Sequence, residues 1–371
     1  GNPIEVKYIL DLRDFPGDPN ETKVVHDIEV ILQDPEISIV CETMGGNEPA
    51  YTFSKRALEA GKSVCTSNKE LVANHGAELL RLARENRCNY FFEASVGGGI
   101  PIIRPINNCL TAERIVEVSG ILNGTTNYIL TKMEQEGMLF EEALGQAQAL
   151  GYAERNPEAD VEGYDACRKI AILTSLVAGK TVDFHKIHTE GIAGIDPTDF
   201  AYAKKLDATI KLLALSRETE NGYQISVAPY LLKKENALAG VNDVFNAVAV
   251  CGNTLGDTMF YGRGAGKLPT ASAVVADVVE CARHLQKTVG CLWEEGEAKV
   301  ADFDSQEGRF FVRVSKKARA DVEKAFGAVV PVVLDSASEE FAFVTESMQE
   351  AEFEKCREQI FGFVKKIRIK D

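Results

Sequence analysis

Short apolar runs alternate with longer amphipathic stretches through the first third of the chain. The apolar runs predict strands at residues 5–12, 37–43, 63–66 and 89–94. The amphipathic stretches between them predict helices at 51–61 and 69–86. Because strands separated by helices of this length are typical of β-α-β units, the pattern predicts an α/β domain with a Rossmann-like parallel sheet.

Beyond residue 115 the pattern becomes mixed and predicts an α+β domain. Strands are predicted at 115–118, 223–227 and 247–250, and helices at 128–136, 140–150, 164–178, 199–217 and 271–284. A loop rich in Gly, Asn and Thr is predicted at 120–127, and an acidic, polar linker at 293–308. The remainder predicts strand, helix, strand, strand, helix and strand at 310–314, 320–326, 331–334, 341–345, 351–361 and 364–369. That order is typical of a small ferredoxin-like unit.

Length and charge limit the classes of function. The 371 residues suggest two or three domains. The net charge of −15 argues against a nucleic-acid partner, because a protein that binds phosphate backbones needs a basic face. We expect no membrane span or signal peptide, since no apolar stretch approaches ~20 residues. The nine cysteines lack any C-x-x-C pair, so we expect reduced thiols in a cytoplasmic protein rather than disulfides or zinc.

A dinucleotide-binding sheet normally carries G-x-G-x-x-G after its first strand, and no such segment precedes the run at residue 5. Either the domain is not a Rossmann fold, or its first β-α unit is absent from this chain. The first predicted strand ends near Asp11 and Arg13. An arginine there suits the 2′-phosphate of NADP and a carboxylate suits NAD, so the preference stays open. Ordinary strand-end charges explain these two residues equally well.

Lys169 and the acidic residues before it form the main candidate for chemistry. Asp165 and Lys169 are four residues apart and share one face of a helix. Apolar residues follow Lys169, and a partly buried lysine can exchange a proton with an alcohol or carbonyl oxygen. Glu154 and Asp160 lie nearby in sequence and could hold an ammonium group. A surface ion pair is the alternative.

Four further segments have both a chemical and a structural interpretation. Residues 120–127 could present backbone N–H groups to a polar ligand, or simply cap a helix. The alternating glycines of 260–266 allow close approach to a cofactor, or form a turn. Lys69 follows a strand, where α/β sheets bind ligands. Glu93 precedes a glycine-rich turn that could hold a monovalent cation, although a tight turn alone explains it.

Taken together, the segments 66–69, 120–130, 151–169 and 260–274 resemble homoserine dehydrogenase. The resemblance implies reversible reduction of L-aspartate 4-semialdehyde to L-homoserine by NADPH or NADH, in the pathway to threonine, methionine and isoleucine. Lys169 is then the proton donor, and Lys69 lies at the junction of cofactor and substrate. The implied substrate ligands are Glu154, Asp160 and Asp165, and the implied cofactor contacts are Thr43, Gly151 and Gly264. A sodium ion is implied at Glu93, Val96, Gly98 and Ile100.

The resemblance also implies a domain organisation. We expect a nucleotide-binding domain at 1–115, completed by about 260–290, and a substrate-binding and dimerisation domain at 116–259. The unit at 305–371 resembles a regulatory ACT domain, with threonine as its implied effector, and a homodimer or homotetramer is expected. The alternatives are another Rossmann-type amino-acid oxidoreductase and a non-catalytic threonine sensor.

Overall fold

The computed structural model describes residues 3–335 and 338–370, and its N-terminal part is a parallel α/β layer. Its elements are β1 (Ile9–Leu10), β2 (Val24–Val25), α1 (Ile28–Gln33), β3 (Ile39–Glu42), α2 (Ala50–Glu59), β4 (Ser63–Thr66), α3 (Lys69–Glu85) and β5 (Tyr90–Phe91). Strands β3, β4 and β5 pair in parallel, as predicted, whereas β1 and β2 form a separate parallel pair. The first and last strands are shorter than the apolar runs that predicted them.

The middle of the chain forms most of a second, larger sheet and the helices that cover it. Its elements are β6 (Ile115–Ile121), α4 (Gly124–Glu136), α5 (Phe140–Ala149), α6 (Glu158–Val161), α7 (Tyr164–Ala178), β7 (Lys180–Thr181), β8 (His188–Thr189), α8 (Pro197–Lys205), β9 (Ala208–Thr219), β10 (Gly222–Lys233), β11 (Phe245–Gly252), β12 (Gly256–Arg263), α9 (Lys267–Arg283) and β13 (Glu294–Glu297).

Two predictions for this region were wrong. The helix predicted at 199–217 ends at Lys205, and β9 then pairs with β10 over twelve residues. Most of β9 is buried on both faces, so its sequence shows no strand-like alternation. The loop predicted at 120–127 is reduced to Leu122 and Asn123, because β6 continues to Ile121 and α4 begins at Gly124.

The C-terminal part comprises β14 (Glu307–Ser315), α10 (Arg319–Phe326), β15 (Glu340–Val344), β16 (Met348–Gln349), α11 (Glu350–Arg357) and β17 (Phe363–Lys370). The strand predicted at 331–334 is only a bridge between Val332 and Ala342. Antiparallel pairs give the order β17-β14-β15-Val332, as in a β-α-β-β-α-β unit. Because β17 also pairs with β10, one sheet runs β12-β11-β6-β9-β10-β17-β14-β15 through both parts.

The stretch at 293–308 is more than the linker that its composition predicts. Trp293 is completely buried and its indole N–H donates to Thr181 Oγ1 (3.0 Å). Its ring lies against Gly76 of α3, and β13 pairs with β7 directly afterwards. This segment therefore joins the N-terminal layer to the middle of the chain.

All nine cysteines are free thiols in this structure. Among residues 3–335 and 338–370, no helix is long and apolar enough to cross a membrane.

Candidate active site

The lysine and aspartate that share a face of α7 lie inside the protein. Lys169 Nζ donates to Asp165 Oδ2 (2.7 Å), and only 8% of Lys169 and 6% of Asp165 are exposed. Helix α7 begins after Gly163, which adopts a left-handed conformation (φ +83°), and buries an almost continuous apolar face. The pair is therefore not the surface ion pair that was the alternative interpretation.

Asp165 connects this helix to the N-terminal layer. Lys69 is the first residue of α3, and its Nζ lies 3.0 Å from Asp165 Oδ1. Burial alone would raise the pKa of the Asp165 carboxyl, but the charges of Lys169 and Lys69 outweigh burial and hold that pKa well below its usual range. Asp165 therefore remains ionised between two ammonium groups.

Asn123 organises the cluster, a role that its position in the sequence does not predict. Its Nδ2 donates to Asp160 Oδ1 (2.7 Å) and to Asp165 Oδ2 (2.9 Å). Its Oδ1 accepts the backbone N–H of Thr126 (2.9 Å) and so caps α4. The available signal was an asparagine three residues before a threonine at a helix start. Burial raises the pKa of Asp160, which lies at the edge of the cluster.

Lys169 keeps part of its hydrogen-bonding capacity for a ligand. Besides Asp165, its Nζ donates to the backbone carbonyl of Leu122 (2.8 Å). An ammonium group has three N–H donors, so within residues 3–335 and 338–370 two are used and one is left. A lysine held at two points with one donor left can meet a single oxygen of a bound molecule.

Glu154 is not brought into this cluster. It is exposed, and its backbone carbonyl accepts a hydrogen bond from Gln148 Nε2 (3.1 Å). In the described part of the chain, its carboxylate makes no ion pair or side-chain hydrogen bond. Glu154, a predicted substrate ligand, therefore lies at the surface, outside the Lys169 cluster.

The carboxyl ends of β3 and β4 form one edge of the parallel sheet, next to Lys69. Glu42 is buried and accepts the backbone N–H groups of Met44 (2.6 Å) and Gly45, while Thr66 Oγ1 donates to its other oxygen (2.5 Å). Thr43 is exposed at this edge of the sheet. Nucleotides bind at this edge of open parallel sheets.

Two other predicted cofactor residues form no hydrogen bond or ion pair with the Lys169 cluster in the described part of the chain. Arg13 is exposed and forms a bidentate pair with Asp11, both bonds being 3.0 Å. The two candidate ribose-reading side chains therefore hold each other, and the choice between NADP and NAD stays open. Gly151 follows α5 in a left-handed conformation (φ +75°) and is exposed.

Gly264 is required by packing. A Cβ at this position would overlap the side chain of Asn246, and a Cβ on Gly98 would overlap the Gly264 carbonyl. The backbone N–H of Gly99 also donates to the Arg263 carbonyl (3.1 Å). The two glycine segments therefore pack tightly together. The turn expected at 260–266 is confined to 264–266, because β12 continues to Arg263 and α9 begins at Lys267.

The carboxylate of Glu93 caps a helical turn. It accepts the backbone N–H groups of Ile102 (2.7 Å), Ile103 (2.8 Å) and Arg104 (2.9 Å). In the described ranges, no group of three or more His, Cys, Asp or Glu side chains could hold a metal ion. A sodium ion near Val96, Gly98 and Ile100 would therefore have to use backbone carbonyls rather than this carboxylate.

Comparison with known proteins places most of the chain in one family. A profile described as homoserine dehydrogenase matches residues 101–279, and one described as homoserine dehydrogenase, NAD binding domain, matches residues 2–93. The homoserine dehydrogenase of Bacillus subtilis is 40% identical over 330 residues, covering 85% of this chain and 75% of that protein. That of Synechocystis is 49% identical over 257 residues, covering 68% of this chain and 59% of that protein.

Solved structures agree with these sequence matches. A homoserine dehydrogenase from Thiobacillus denitrificans superposes with a TM-score of 0.86 and 34% identity, covering 94% of this chain and 85% of that one. A hyperthermophilic archaeal homoserine dehydrogenase in complex with NADPH gives a TM-score of 0.61 and 32% identity, covering 69% and 75%.

Proposed function

The chain belongs to the homoserine dehydrogenase family of oxidoreductases, which act on a CH–OH group, and we propose that it reduces L-aspartate 4-semialdehyde reversibly to L-homoserine with NADPH or NADH. Family membership does not favour either alternative from the sequence, a different oxidoreductase or a non-catalytic sensor. The role in threonine, methionine and isoleucine synthesis follows from this reaction.

One observation carries the proposal. The buried carboxylate of Asp165 pairs with Lys169 of the middle domain and with Lys69 of the N-terminal layer. A hydride-transfer enzyme must bring its cofactor and substrate together where these two parts meet. The pairing of both lysines with one carboxylate supports a reacting centre at that junction.

Lys169 acts as the proton donor in this proposal. When the aldehyde carbon accepts a hydride, charge develops on its oxygen, and the remaining N–H of Lys169 protonates that oxygen to give the alcohol. The neutral lysine regains its proton from solvent. Asp165 and the Leu122 carbonyl fix the ammonium group, so Lys169 meets the oxygen at a defined point.

The substrate ammonium group needs an anionic partner beside this point. Asp160 and Asp165 lie around Asn123, and we propose that Asp160 accepts the ammonium group at the edge of the cluster. Glu154 is exposed and free, so its carboxylate is available to close over the bound amino acid.

The nicotinamide cofactor is placed at the carboxyl ends of β3 and β4, because nucleotides bind at this edge of open parallel sheets and Thr43 is exposed there. The Thr66 hydroxyl and the Met44 N–H are engaged by the buried Glu42 carboxylate, so they fix the shape of this edge. The bound reduced nicotinamide supplies the hydride. Thr43 and Lys69 would contact it, with the turns at Gly151 and Gly264 completing the site. Measuring kcat/KM with NADPH and NADH decides the cofactor preference, and the same comparison on Arg13→Ala tests the part played by Arg13.

Replacing Lys169 tests the proton-transfer step. In Lys169→Ala we expect kcat to fall by roughly 10²–10⁴-fold, the usual contribution of a general acid, measured as nicotinamide oxidation with aspartate semialdehyde. Lys132→Ala is the matched control, because Lys132 makes an exposed i,i+4 pair with Glu136. A Lys169→Ala protein that turns over as fast as the control would refute the assignment.

Further proposals concern assembly, location and ions. We propose a nucleotide-binding domain at 1–115 with about 260–290, a substrate-binding domain at 116–259 and an ACT-like domain at 305–371. We also propose that the chain dimerises through the middle domain, where β12, the edge strand of the large sheet, exposes Met259 and Tyr261. Sedimentation of Tyr261→Asp tests this assembly.

The free cysteines support a cytoplasmic location, which cell fractionation tests.

The strand order of the C-terminal unit supports an ACT-like domain with threonine as effector, which titration with L-threonine tests. Backbone carbonyls of the 93–100 turn remain the proposed sodium ligands. Activity in NaCl against choline chloride tests the ion.

A further inference from the structure

A buried carboxylate lies at the end of β3, between two exposed residues. Glu42 is only 3% exposed, whereas Cys41 and Thr43 on either side of it are exposed. All the donors that the structure describes for this carboxylate are neutral: two backbone N–H groups and one hydroxyl. Burying a charge without a counter-ion is costly, so these hydrogen bonds must compensate for the lost hydration. The groups that Glu42 holds therefore indicate its role.

One oxygen of Glu42 fixes the turn that follows β3. Its Oε1 accepts the backbone N–H groups of Met44 (2.6 Å) and Gly45 (3.4 Å). Gly45 and Gly46 both have positive φ (+82° and +71°), and a Cβ on either would meet no atom within 4 Å. The glycines are thus required by backbone conformation rather than by close packing. Consecutive N–H groups that converge on an anion form a nest, and here the anion is the Glu42 carboxylate.

The other oxygen of Glu42 connects this turn to the start of α3. Thr66 Oγ1 donates to Glu42 Oε2 (2.5 Å) and accepts the backbone N–H of Asn68 (2.9 Å). Asn68 Oδ1 accepts the backbone N–H of Leu71 (3.1 Å) and caps α3, while its Nδ2 donates to the Gly46 carbonyl (2.6 Å). Glu42, the turn, Asn68 and Thr66 therefore form a closed ring of hydrogen bonds.

This ring holds the two residues that the proposed function places against the cofactor. Thr43 lies between Glu42 and the turn, and Lys69 directly follows Asn68 as the first residue of α3. The start of α3 has a second anchor, because Lys69 Nζ also pairs with Asp165 Oδ1 (3.0 Å). Loss of the Glu42 carboxylate should therefore disturb the turn beside Thr43 more than the substrate side of the junction.

We propose that Glu42 is a positioning residue for the nicotinamide cofactor, whose carboxylate shapes the turn and, through Thr66 and Asn68, sets Thr43 against Lys69. The inference rests on the proposed function, and it assigns to Glu42 an effect on cofactor affinity rather than on aspartate semialdehyde binding or proton transfer. The ring uses both carboxylate oxygens as acceptors, and a glutamine would supply only one.

Titration of the purified chain with NADPH, and in parallel with NADH, followed by nicotinamide fluorescence, tests this role. In Glu42→Gln we expect the Kd of the tighter-binding cofactor to rise about tenfold or more, because an acceptor is lost from a charged hydrogen-bond network. The KM for that cofactor should rise in parallel, while the KM for aspartate semialdehyde stays nearly constant. Glu85→Gln is the matched control, because Glu85 is exposed at the far end of α3, and it should leave the Kd unchanged.

Replacing Thr66 tests the same ring from its other side and does not depend on the folding of Glu42→Gln. Thr66→Val is nearly isosteric but removes the hydroxyl, so it should also weaken cofactor binding. Thr66→Ser keeps the hydroxyl and should bind the cofactor more tightly than Thr66→Val.

Three results would overturn the proposal: an equal cofactor Kd in Glu42→Gln and Glu85→Gln, an equal Kd in Thr66→Val and Thr66→Ser, or a KM for aspartate semialdehyde that rises as much as the KM for the cofactor. Failure of the proposed function gives a different result, since the unmodified chain would then bind neither NADPH nor NADH.

Discussion

Asp165→Asn removes the charge that holds the two lysines of the candidate active site. The carboxylate pairs with Lys169 Nζ at 2.7 Å and Lys69 Nζ at 3.0 Å, and accepts from Asn123 Nδ2 at 2.9 Å. An asparagine keeps one acceptor oxygen but places an NH₂ group against an ammonium. The variant therefore leaves a buried lysine without its counter-ion.

The size of the effect follows from burial. Removing one partner of a buried ion pair destabilises a protein by ~3–5 kcal/mol, and Lys169 and Asp165 are both more than nine-tenths buried. The Lys69 side chain is 41% exposed, so its share is small. We therefore expect about 3–5 kcal/mol for Asp165→Asn. The exposed i,i+4 pair of Lys132 and Glu136 provides the control, since Glu136→Gln should lose only ~0.3–0.5 kcal/mol.

The difference should depend on pH with a defined sign. The folded-state pKa of Asp165 is depressed, whereas an aspartate in the unfolded chain titrates near ~3.9. Its stabilisation is thus fully present above that unfolded value and is lost as the pH falls through the folded pKa. The gap between the unmodified chain and Asp165→Asn should stay constant down to about pH 5 and shrink below about pH 4.

Trp293 is the natural reporter for this measurement. It is the only tryptophan, is completely buried, and lies against Gly76 of α3, the helix that begins with Lys69. Urea unfolding followed by Trp293 fluorescence therefore reports on the junction between α3 and α7, which Asp165 stabilises through Lys69 and Lys169. The reasoning is refuted if Asp165→Asn is no less stable than Glu136→Gln, or if the gap between them widens in acid.

Two further predictions concern buried positions outside the active site. Gly76→Ala should destabilise by ~1–3 kcal/mol because the new Cβ would lie 2.8 Å from the Trp293 ring; Gly145→Ala, in α5 with open space around it, should instead stabilise by ~0.5–1 kcal/mol in the same urea assay. Burial lowers the pKa of Lys211 to about 8, so between about pH 8 and 10 the unfolded state holds a proton that the folded state lacks. The unmodified chain should therefore gain up to about 3 kcal/mol relative to Lys211→Met over that range, and a flat difference would contradict this.

The sequence predicts those parts of the fold in which local pattern and burial agree. Strand β4 and helix α7 lie where the patterns predicted them, because each is bounded by local signals such as Gly163 and Gly179 around α7. The prediction for β9 was wrong because both faces of this strand are covered, so its sequence is a run of Leu, Ala and Ile that fits a helix equally well. Pairing with β10 decides its conformation, and that pairing is not visible in a window of the sequence.

The candidate active site likewise combines features that the sequence predicts with features that depend on tertiary packing. The face shared by Asp165 and Lys169 follows from their spacing of four residues, so the sequence predicts it directly. The approach of Lys69 to Asp165 joins residues 96 positions apart, and only the family resemblance indicated it. Asn123 could be identified as a helix cap, but its second role, bridging two carboxylates through Nδ2, depends on the packing of α6 against α4 and of α7 against β6.

Buried arginines hold the C-terminal unit against the middle of the chain. Arg313 of β14 donates to the completely buried Asp199, and Arg368 of β17 pairs with Glu190. Moving the C-terminal unit away would leave the buried Asp199 without its guanidinium partner, at ~3–5 kcal/mol. The Arg368–Glu190 pair adds less, because the Glu190 side chain is 37% exposed. The junction between the two parts is therefore fixed rather than a hinge. Helix α7, which carries Lys169, packs on β9 and β10, and β6 pairs with β9 and ends one residue before the Leu122 carbonyl that accepts from Lys169 Nζ, so this continuous sheet joins the C-terminal unit to the candidate active site.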